Sequence, residues 1–321
     1  MKSAPRRASR RTVLALFLAT LALTPACTRL SFLLAAGARN AEHLVRSPAR
    51  VDNKIKDPRR PDARLAALWV GHATVLVQMG ERFVLTDPIF TDTAGQLAKR
   101  IVEPGIEPSA LPLLDLVLIS HMHFDHLSVG TLELLEPKIR LLVTPAQGLV
   151  YVPKSRFRAV EVPWWTTLAE GDLRVTGAPV KHTGYRYGAD LAWMTRSFTG
   201  YVVEHDGMTV YFGGDTAYDR EAFLATRERF PNIDLALLPI APIHPREVMK
   251  SKHMDPDEAV QAYLDLGAKW MIPIHYGTFF NSTDEAGEAL ARLEAAVSRE
   301  GLTEDQVVVL GIGEQRVLVS R

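Results

Sequence analysis

Three histidines and an aspartate within six residues, His121-Met122-His123-Phe124-Asp125-His126, constrain this chain more than any other feature. They follow an apolar run, Leu116-Val117-Leu118-Ile119-Ser120, which reads as a buried strand carrying the cluster to the edge of a sheet. Alternate residues of an extended segment point the same way. His121 and His123 can therefore share one cation, while Asp125 and His126, on the turn beyond, can reach another. A solvated loop is the ordinary setting for a single histidine, but a hydrophobic strand that feeds four ligand-type side chains has no packing purpose for them.

Six residues cannot close two coordination spheres, so further ligands are expected at the ends of other strands. The chain has three such places. His182 follows Leu173-Arg174-Val175-Thr176-Gly177-Ala178-Pro179-Val180, Asp215 follows Thr209-Val210-Tyr211-Phe212-Gly213-Gly214, and His275 follows Trp270-Met271-Ile272-Pro273-Ile274. A carboxylate can bridge two cations through its two oxygens, and the glycines before Asp215 let the backbone approach closely, which makes Asp215 the candidate bridge.

This set, in this order, resembles the metallo-β-lactamase superfamily. Gly71-His72-Ala73-Thr74-Val75-Leu76-Val77, Leu85-Thr86-Asp87-Pro88-Ile89-Phe90, Gly214-Asp215-Thr216, His253-Met254-Asp255-Pro256-Asp257-Glu258-Ala259 and Ile274-His275-Tyr276-Gly277-Thr278-Phe279 are similar to the branch containing N-acyl-phosphatidylethanolamine-hydrolysing phospholipase D, with the ascorbate phosphate lactonases as a second neighbour. The resemblance runs from about Trp69 to about Phe279. It implies an α/β fold, a four-layer αβ/βα sandwich with a single catalytic domain. It also implies one zinc on His121, His123 and His182 and a second on Asp125, His126 and His275, with Asp215 shared and a hydroxide between the two Zn2+ ions. Asp125, Asp215 and His253 would then carry catalysis. Asp87 would brace the ligand loop by hydrogen bonds, although a turn aspartate before Pro88 is an equal reading of the residue itself.

His253 opens a stretch whose Asp255 and Pro256 look like a helix start. In the resembling phospholipases this histidine faces substrate, which implies a hydrogen bond to the reacting group or proton transfer to the leaving group; a surface capping residue is the plain alternative. His43, His72, His205 and His244 are read as structural, with His72 given a hydrogen bond before a ligand role. The stretch after His182, Thr183-Gly184-Tyr185-Arg186-Tyr187-Gly188-Ala189-Asp190-Leu191-Ala192-Trp193, departs from the lipid-cleaving relatives. Lys181, Arg186 and Arg196 are candidates for holding a phosphate, or else solvated charges.

Lys plus Arg and Asp plus Glu each number 37, so there is no basic excess to serve a nucleic-acid partner. Strands are expected near 67–70, 74–78, 82–86, 116–120, 140–144, 173–178, 201–205, 209–212, 235–239 and 270–274, with two more between 307 and 318; helices are expected at 128–135, 220–230, 257–265 and 284–299. The segment from Thr91 to Pro112 reads as a loop overhanging the site.

The first 36 residues differ in kind. Arg6, Arg7, Arg10 and Arg11 precede an apolar run from Val13 to Leu23, in outline an export signal. Ser9-Arg10-Arg11-Thr12-Val13-Leu14 resembles a twin-arginine signal. Cys27, the lone cysteine, stands where a bacterial lipoprotein is cleaved and acylated, with Thr24 in place of leucine three before it; an uncleaved membrane anchor is the other reading. Residues 37–62 read as a linker and 63–321 as the hydrolase domain, exported to the periplasm or held at the membrane.

The expected activity is hydrolysis of a phosphodiester, with a phospholipid or a small molecule as substrate. Hydrolysis of a lactone or carboxylic ester is the alternative, since the same nucleophile attacks a carbonyl, and a metal-binding envelope protein without turnover is a third reading.

Overall fold

The computed structural model describes residues 46–95 and 98–321, with a few positions between 31 and 41. The signal, twin-arginine and Cys27 readings, and His43, lie outside the described residues. No helix among those described is long and apolar enough to cross a membrane.

Within residues 46–321 the strands run β1 (Ala63–Gly71), β2 (Thr74–Met79), β3 (Arg82–Thr86), β4 (Thr93–Ala94), β5 (Ala98–Lys99), β6 (Leu116–Leu118), β7 (Leu141–Thr144), β8 (Arg158–Glu161), β9 (Thr167–Glu170), β10 (Leu173–Ala178), β11 (Gly200–His205), β12 (Met208–Phe212), β13 (Leu235–Pro239), β14 (Trp270–Ile274) and β15 (Gln315–Ser320). The helices are α1 (Val129–Leu135), α2 (Arg220–Arg229), α3 (Arg246–Met249), α4 (Pro256–Leu266) and α5 (Glu288–Arg299). One sheet has the order β15-β1-β2-β3-β6-β7-β8 and the other β14-β13-β12-β11-β10-β9.

The two sheets lie face to face because each offers an apolar face. Val75, Val77, Leu118, Val175, Tyr201, Val210 and Leu237 meet between them in one buried core. Helices cover the outer faces: α1 buries Leu132 and Leu135 against the first sheet, while α2, α4 and α5 bury Phe223, Val260 and Leu293 against the second. This is the expected four-layer sandwich.

Topology then gathers the ligand-type residues. β3, β6 and β7 pair in parallel, as do β12, β13 and β14. Asp87, His121, Asp215 and His275 all stand just past the carboxyl ends of parallel strands, the edge where α/β sheets place their ligands.

Several boundaries differ from expectation for local reasons. α5 begins at Glu288 because Asp284 turns its carboxylate back to accept from the Ile243 and His244 amides, and Gly287 sits at φ 80°. Only β15 forms in the carboxyl-terminal stretch, with a single bridge from Val307 to Met271. β8 and β9 carry few buried residues, so they lack the apolar alternation that would have disclosed them. The segment from Thr91 to Pro112 contains the antiparallel pair β4-β5 and lies against the ligand loop, where a Cβ on Gly95 would come 3.1 Å from the Phe124 ring. Part of the 37–62 segment packs on the domain: Ala49 bridges to Val102, and Arg60 exchanges hydrogen bonds with Gln78.

Candidate metal centre

Among the described residues, four overlapping groups of potential ligands form at the junction of the sheets, two of them, Asp87 with His121 and His126 and His182 with Asp215 and His253, sharing members with the main pair. Of that pair, His121, His123 and His182 make the first; Asp125, His126 and His275, joined by His72, make the second. His121 Nε2 is 2.9 Å from His123 Nδ1, which is 3.4 Å from His182 Nε2. His126 Nε2 faces His275 Nε2 at 3.0 Å, with Asp125 Oδ2 3.8 and 3.7 Å from the two. Asp215 stands between the groups. Its Oδ1 is 3.0 Å from His275 Nε2, and its Oδ2 is 3.3 Å from His126 Nε2, 3.8 Å from His182 Nε2 and 3.9 Å from His121 Nε2.

Hydrogen bonds behind the rings decide which nitrogens point inward. His182 Nδ1 donates to the Lys252 carbonyl at 2.8 Å, and His126 Nδ1 donates to Asp87 Oδ2 at 2.6 Å. Ser120 gives its hydroxyl proton to Asp87 Oδ2 at 2.5 Å, so its oxygen accepts from His121 Nδ1 at 2.9 Å. Each ring thereby commits Nδ1 outward and turns Nε2 toward the centre, the arrangement that orients imidazole ligands. Asp87 also accepts from the Ser120 amide at 2.6 Å, and its carboxylate falls within 4.8 Å of ligand atoms of both His121 and His126.

Strained backbone holds this geometry. His72, Asp87 and His275 have φ of 56°, 31° and 68°, a region that non-glycine residues rarely occupy and that clusters at functional sites. His72 is held there from both sides. Its amide donates to Thr278 Oγ1, and its carbonyl accepts from Trp69 Nε1 and the His275 amide. Its Nε2 lies 3.1 Å from Asp125 Oδ2, the hydrogen bond expected of it. At Gly214, φ is 57° and a Cβ would sit 2.3 Å from that of Ser120, so only glycine lets the end of β12 deliver Asp215.

The donor chemistry fits cations. Asp215 Oδ1, His253 Nδ1 and His275 Nδ1 are buried without a hydrogen-bond partner among the described residues. Burial pushes Asp215 up, but the imidazoles of His275, His126 and His253 outweigh it and hold the carboxylate well below its usual range. Burial pushes His126 and His275 down, yet neighbouring carboxylates raise the first well above the ordinary histidine value and the second to about 9. The carboxylates thus draw positive charge into the cleft, and protons on these rings are what satisfies them when no cation does. Burial, acting first, lowers His121 and His182 well below the ordinary value and His123 to about 4, which leaves neutral imidazoles.

His253 also reaches the centre. Its Nδ1 is 3.5 Å from Asp215 Oδ2, and burial is the main cause that lowers it to about 3. The expected helix start accounts for its position. Asp255 caps α4 in a reciprocal box with Glu258, and the Met254 amide donates to the Thr216 carbonyl beside Asp215.

The three basic residues proposed for substrate do not gather here. Arg186 is buried, donates Nη1 to the carbonyls of Met122 (2.9 Å) and Leu127 (2.8 Å), and lies over Phe124, so it braces the ligand loop from behind. Lys181, one residue before His182 in extended backbone, is exposed on the opposite side. Arg196 is exposed and lines a separate cavity with Trp164 and Phe198. Sequence reasoning missed Ser120, whose role depends on which partners its hydroxyl meets. A cavity of about 380 Å³ opens beside His72 and His275, lined by Trp69, Phe279, Phe280 and Leu290 among others.

A family model described as the beta-lactamase superfamily domain matches residues 82–276, more than half of the chain. The chain belongs to the metallo-β-lactamase superfamily. It is 32% identical over 285 residues to N-acyl-phosphatidylethanolamine-hydrolyzing phospholipase D 1 of Caenorhabditis elegans, covering 82% of this chain and 79% of that protein. It is 34% identical over 260 residues to an uncharacterized protein of Mycobacterium bovis, covering 76% and 67%. A solved metallo hydrolase from Ignicoccus hospitalis superposes with a TM-score of 0.58 at 21% identity, covering 78% of this chain and 97% of that one, a likeness of fold. This member of the superfamily is a metal-dependent hydrolase whose histidine and aspartate clusters can bind metal.

Proposed function

We propose that the protein is a dinuclear zinc hydrolase that cleaves the phosphodiester of a phospholipid in the manner of a phospholipase D. The observation that carries this reading is Asp215, whose two oxygens lie between two separate groups of inward-facing imidazole nitrogens. His121, His123 and His182 would hold one ion, Asp125, His126 and His275 the other, and Asp215 both. A pair of divalent ions supplies a water-derived nucleophile at neutral pH and offsets charge on phosphoryl oxygens.

The chain's own residues supply the rest. Asp87 and Ser120 keep His126 and His121 in the tautomers that point Nε2 inward. His72 holds Asp125. His253, beside Asp215 and with no hydrogen-bond partner on Nδ1 among the described residues, is a neutral imidazole placed to bond the reacting phosphate and to relay a proton taken from the attacking water to the departing oxygen. The cavity beside His275 has an apolar wall of Trp69, Phe279, Phe280 and Leu290 that suits an acyl chain, and a polar side carrying Asn281, Ser282, Asp284 and Glu285. The likeness to the Caenorhabditis elegans phospholipase supports the same substrate class. The amino-terminal segment would export the enzyme and keep it near a membrane.

Release of phosphatidic acid from phospholipid vesicles is the test, with loss on chelation and in Asp215→Asn. Turnover of lactones alone would replace this reading with an esterase, and stoichiometric metal with no turnover of either substrate would replace it with a binding protein.

A further inference from the structure

Beside the His121, His123 and His182 group the fold brings together two side chains from distant segments. Tyr185 sets its ring edge-on to His123, with centroids 5.0 Å apart and an interplanar angle of 76°. Lys252 holds its ammonium 5.8 Å from the centre of that same tyrosine ring. The Lys252 backbone is fixed at both ends: its carbonyl accepts from His182 Nδ1 at 2.8 Å, and its amide donates to the Met249 carbonyl at 2.8 Å. The side chain is half-buried, and among the described residues no carboxylate lies within ion-pair distance of it.

A positive charge in this place is costly next to a centre built for cations, because like charges repel most where water is partly excluded. An ammonium held there becomes favourable when the ligand in the cleft carries negative charge. Lysine acts on phosphate as a point charge with three donors, and a phenol adds a directional one. Of the two cations proposed for substrate on the same loop, Arg186 donates to two carbonyls and Lys181 faces away.

We propose that Lys252 and Tyr185 form an anion-binding subsite at the His123 end of the metal centre, one that takes a charged phosphate oxygen of the substrate. This rests on the phosphodiester reading above and sharpens it: the subsite favours an anionic phosphodiester over a neutral ester or lactone.

The test reads binding rather than turnover. Metal-loaded full-length protein is titrated calorimetrically with inorganic phosphate, with dimethyl phosphate as a diester probe, and with imidazole as a neutral metal-directed probe. Lys252→Gln is expected to weaken both phosphate probes about tenfold, Lys252→Arg to stay within about twofold of the parent, and Tyr185→Phe to lose about threefold. Imidazole affinity and metal content should not change. Phosphate affinity equal in the parent and Lys252→Gln, or absent in both, overturns the subsite. A parallel loss of imidazole affinity also overturns it, because Lys252 would then act only by positioning His182. A protein that binds phosphate through Lys252 yet cleaves no phosphodiester keeps the subsite and sinks the functional reading.

Discussion

Asp87→Asn isolates the hydrogen-bond frame behind the metal centre from the ligands themselves. The substitution conserves volume at a position with no solvent exposure, but it removes a charge and converts one acceptor into a donor. Asp87 Oδ1 accepts from the Ser120 amide, while Oδ2 accepts from both Ser120 Oγ and His126 Nδ1. If the asparagine oxygen keeps the Ser120 amide, its NH2 faces the His126 N–H. His126 must then move its proton to Nε2, which points toward His275 and Asp215. The opposite amide orientation sets NH2 against the Ser120 N–H. Either way at least one bond to a charged group is lost, about 2–3 kcal/mol. A change of Tm of about 2–4 °C per kcal/mol for a domain of this size gives a fall of roughly 4–12 °C. Loss of such an outer partner typically weakens metal binding 10–100-fold, about 1.4–2.8 kcal/mol. Competition with a chromophoric chelator, elemental analysis after gel filtration and thermal melts would measure these effects. Parent-like metal affinity and Tm would refute the claim that Asp87 sets the His126 tautomer.

Other perturbations separate the remaining roles. His253→Gln should lower kcat by about 10²–10⁴ with metal content unchanged; loss of metal in this variant would make His253 a ligand instead. Arg186→Met should destabilise the fold by about 2–4 kcal/mol in denaturant titrations, because it orphans the Met122 and Leu127 carbonyls; an intact fold with only a raised KM would return Arg186 to substrate binding. Gly214→Ala must displace Ser120 or Asp215, and a misplacement of about 1 Å should cost roughly 100-fold in kcat/KM. Asp190 accepts from Tyr151 Oη and the amides of Arg186 and Tyr187; burial pushes its carboxyl up, but these bonds outweigh burial and lower its folded pKa. Its contribution to stability is therefore full above the unfolded value of about 3.9 and drains as pH falls through the lower folded value. Unfolding free energies of the parent and Asp190→Asn should converge as pH drops below about 4, and a gap that stays constant to pH 2 would remove Asp190 from the acid response.

Most of the fold was legible because its signals are local. Buried strands such as β6, β13 and β14 are unbroken apolar runs, and α4 opens on an aspartate and a proline that cap and start it. β8 and β9 escaped notice because their side chains stay largely out of the core. At the centre, His121, His123, Asp125, His126, His182, Asp215 and His275 do converge as their spacing suggests. Lys181, Arg186 and Arg196 lie apart instead of gathering at the centre, because a charge in a loop carries no local mark of whether it faces ligand, solvent or its own backbone.

What the chain determines by itself is the chemical identity of the donors and their delivery to strand ends, since both follow from residue type and from periodicities that span a few residues. Only tertiary packing decides which ring nitrogen looks inward, which residues bear positive φ, and which cation reaches the cleft. Those outcomes depend on partners far apart in the chain, as when His126 meets His275 across 149 positions or Lys252 meets Tyr185 across the mouth of the centre. A hydrogen bond's direction is set by the atom at its far end, and that atom is chosen by the fold.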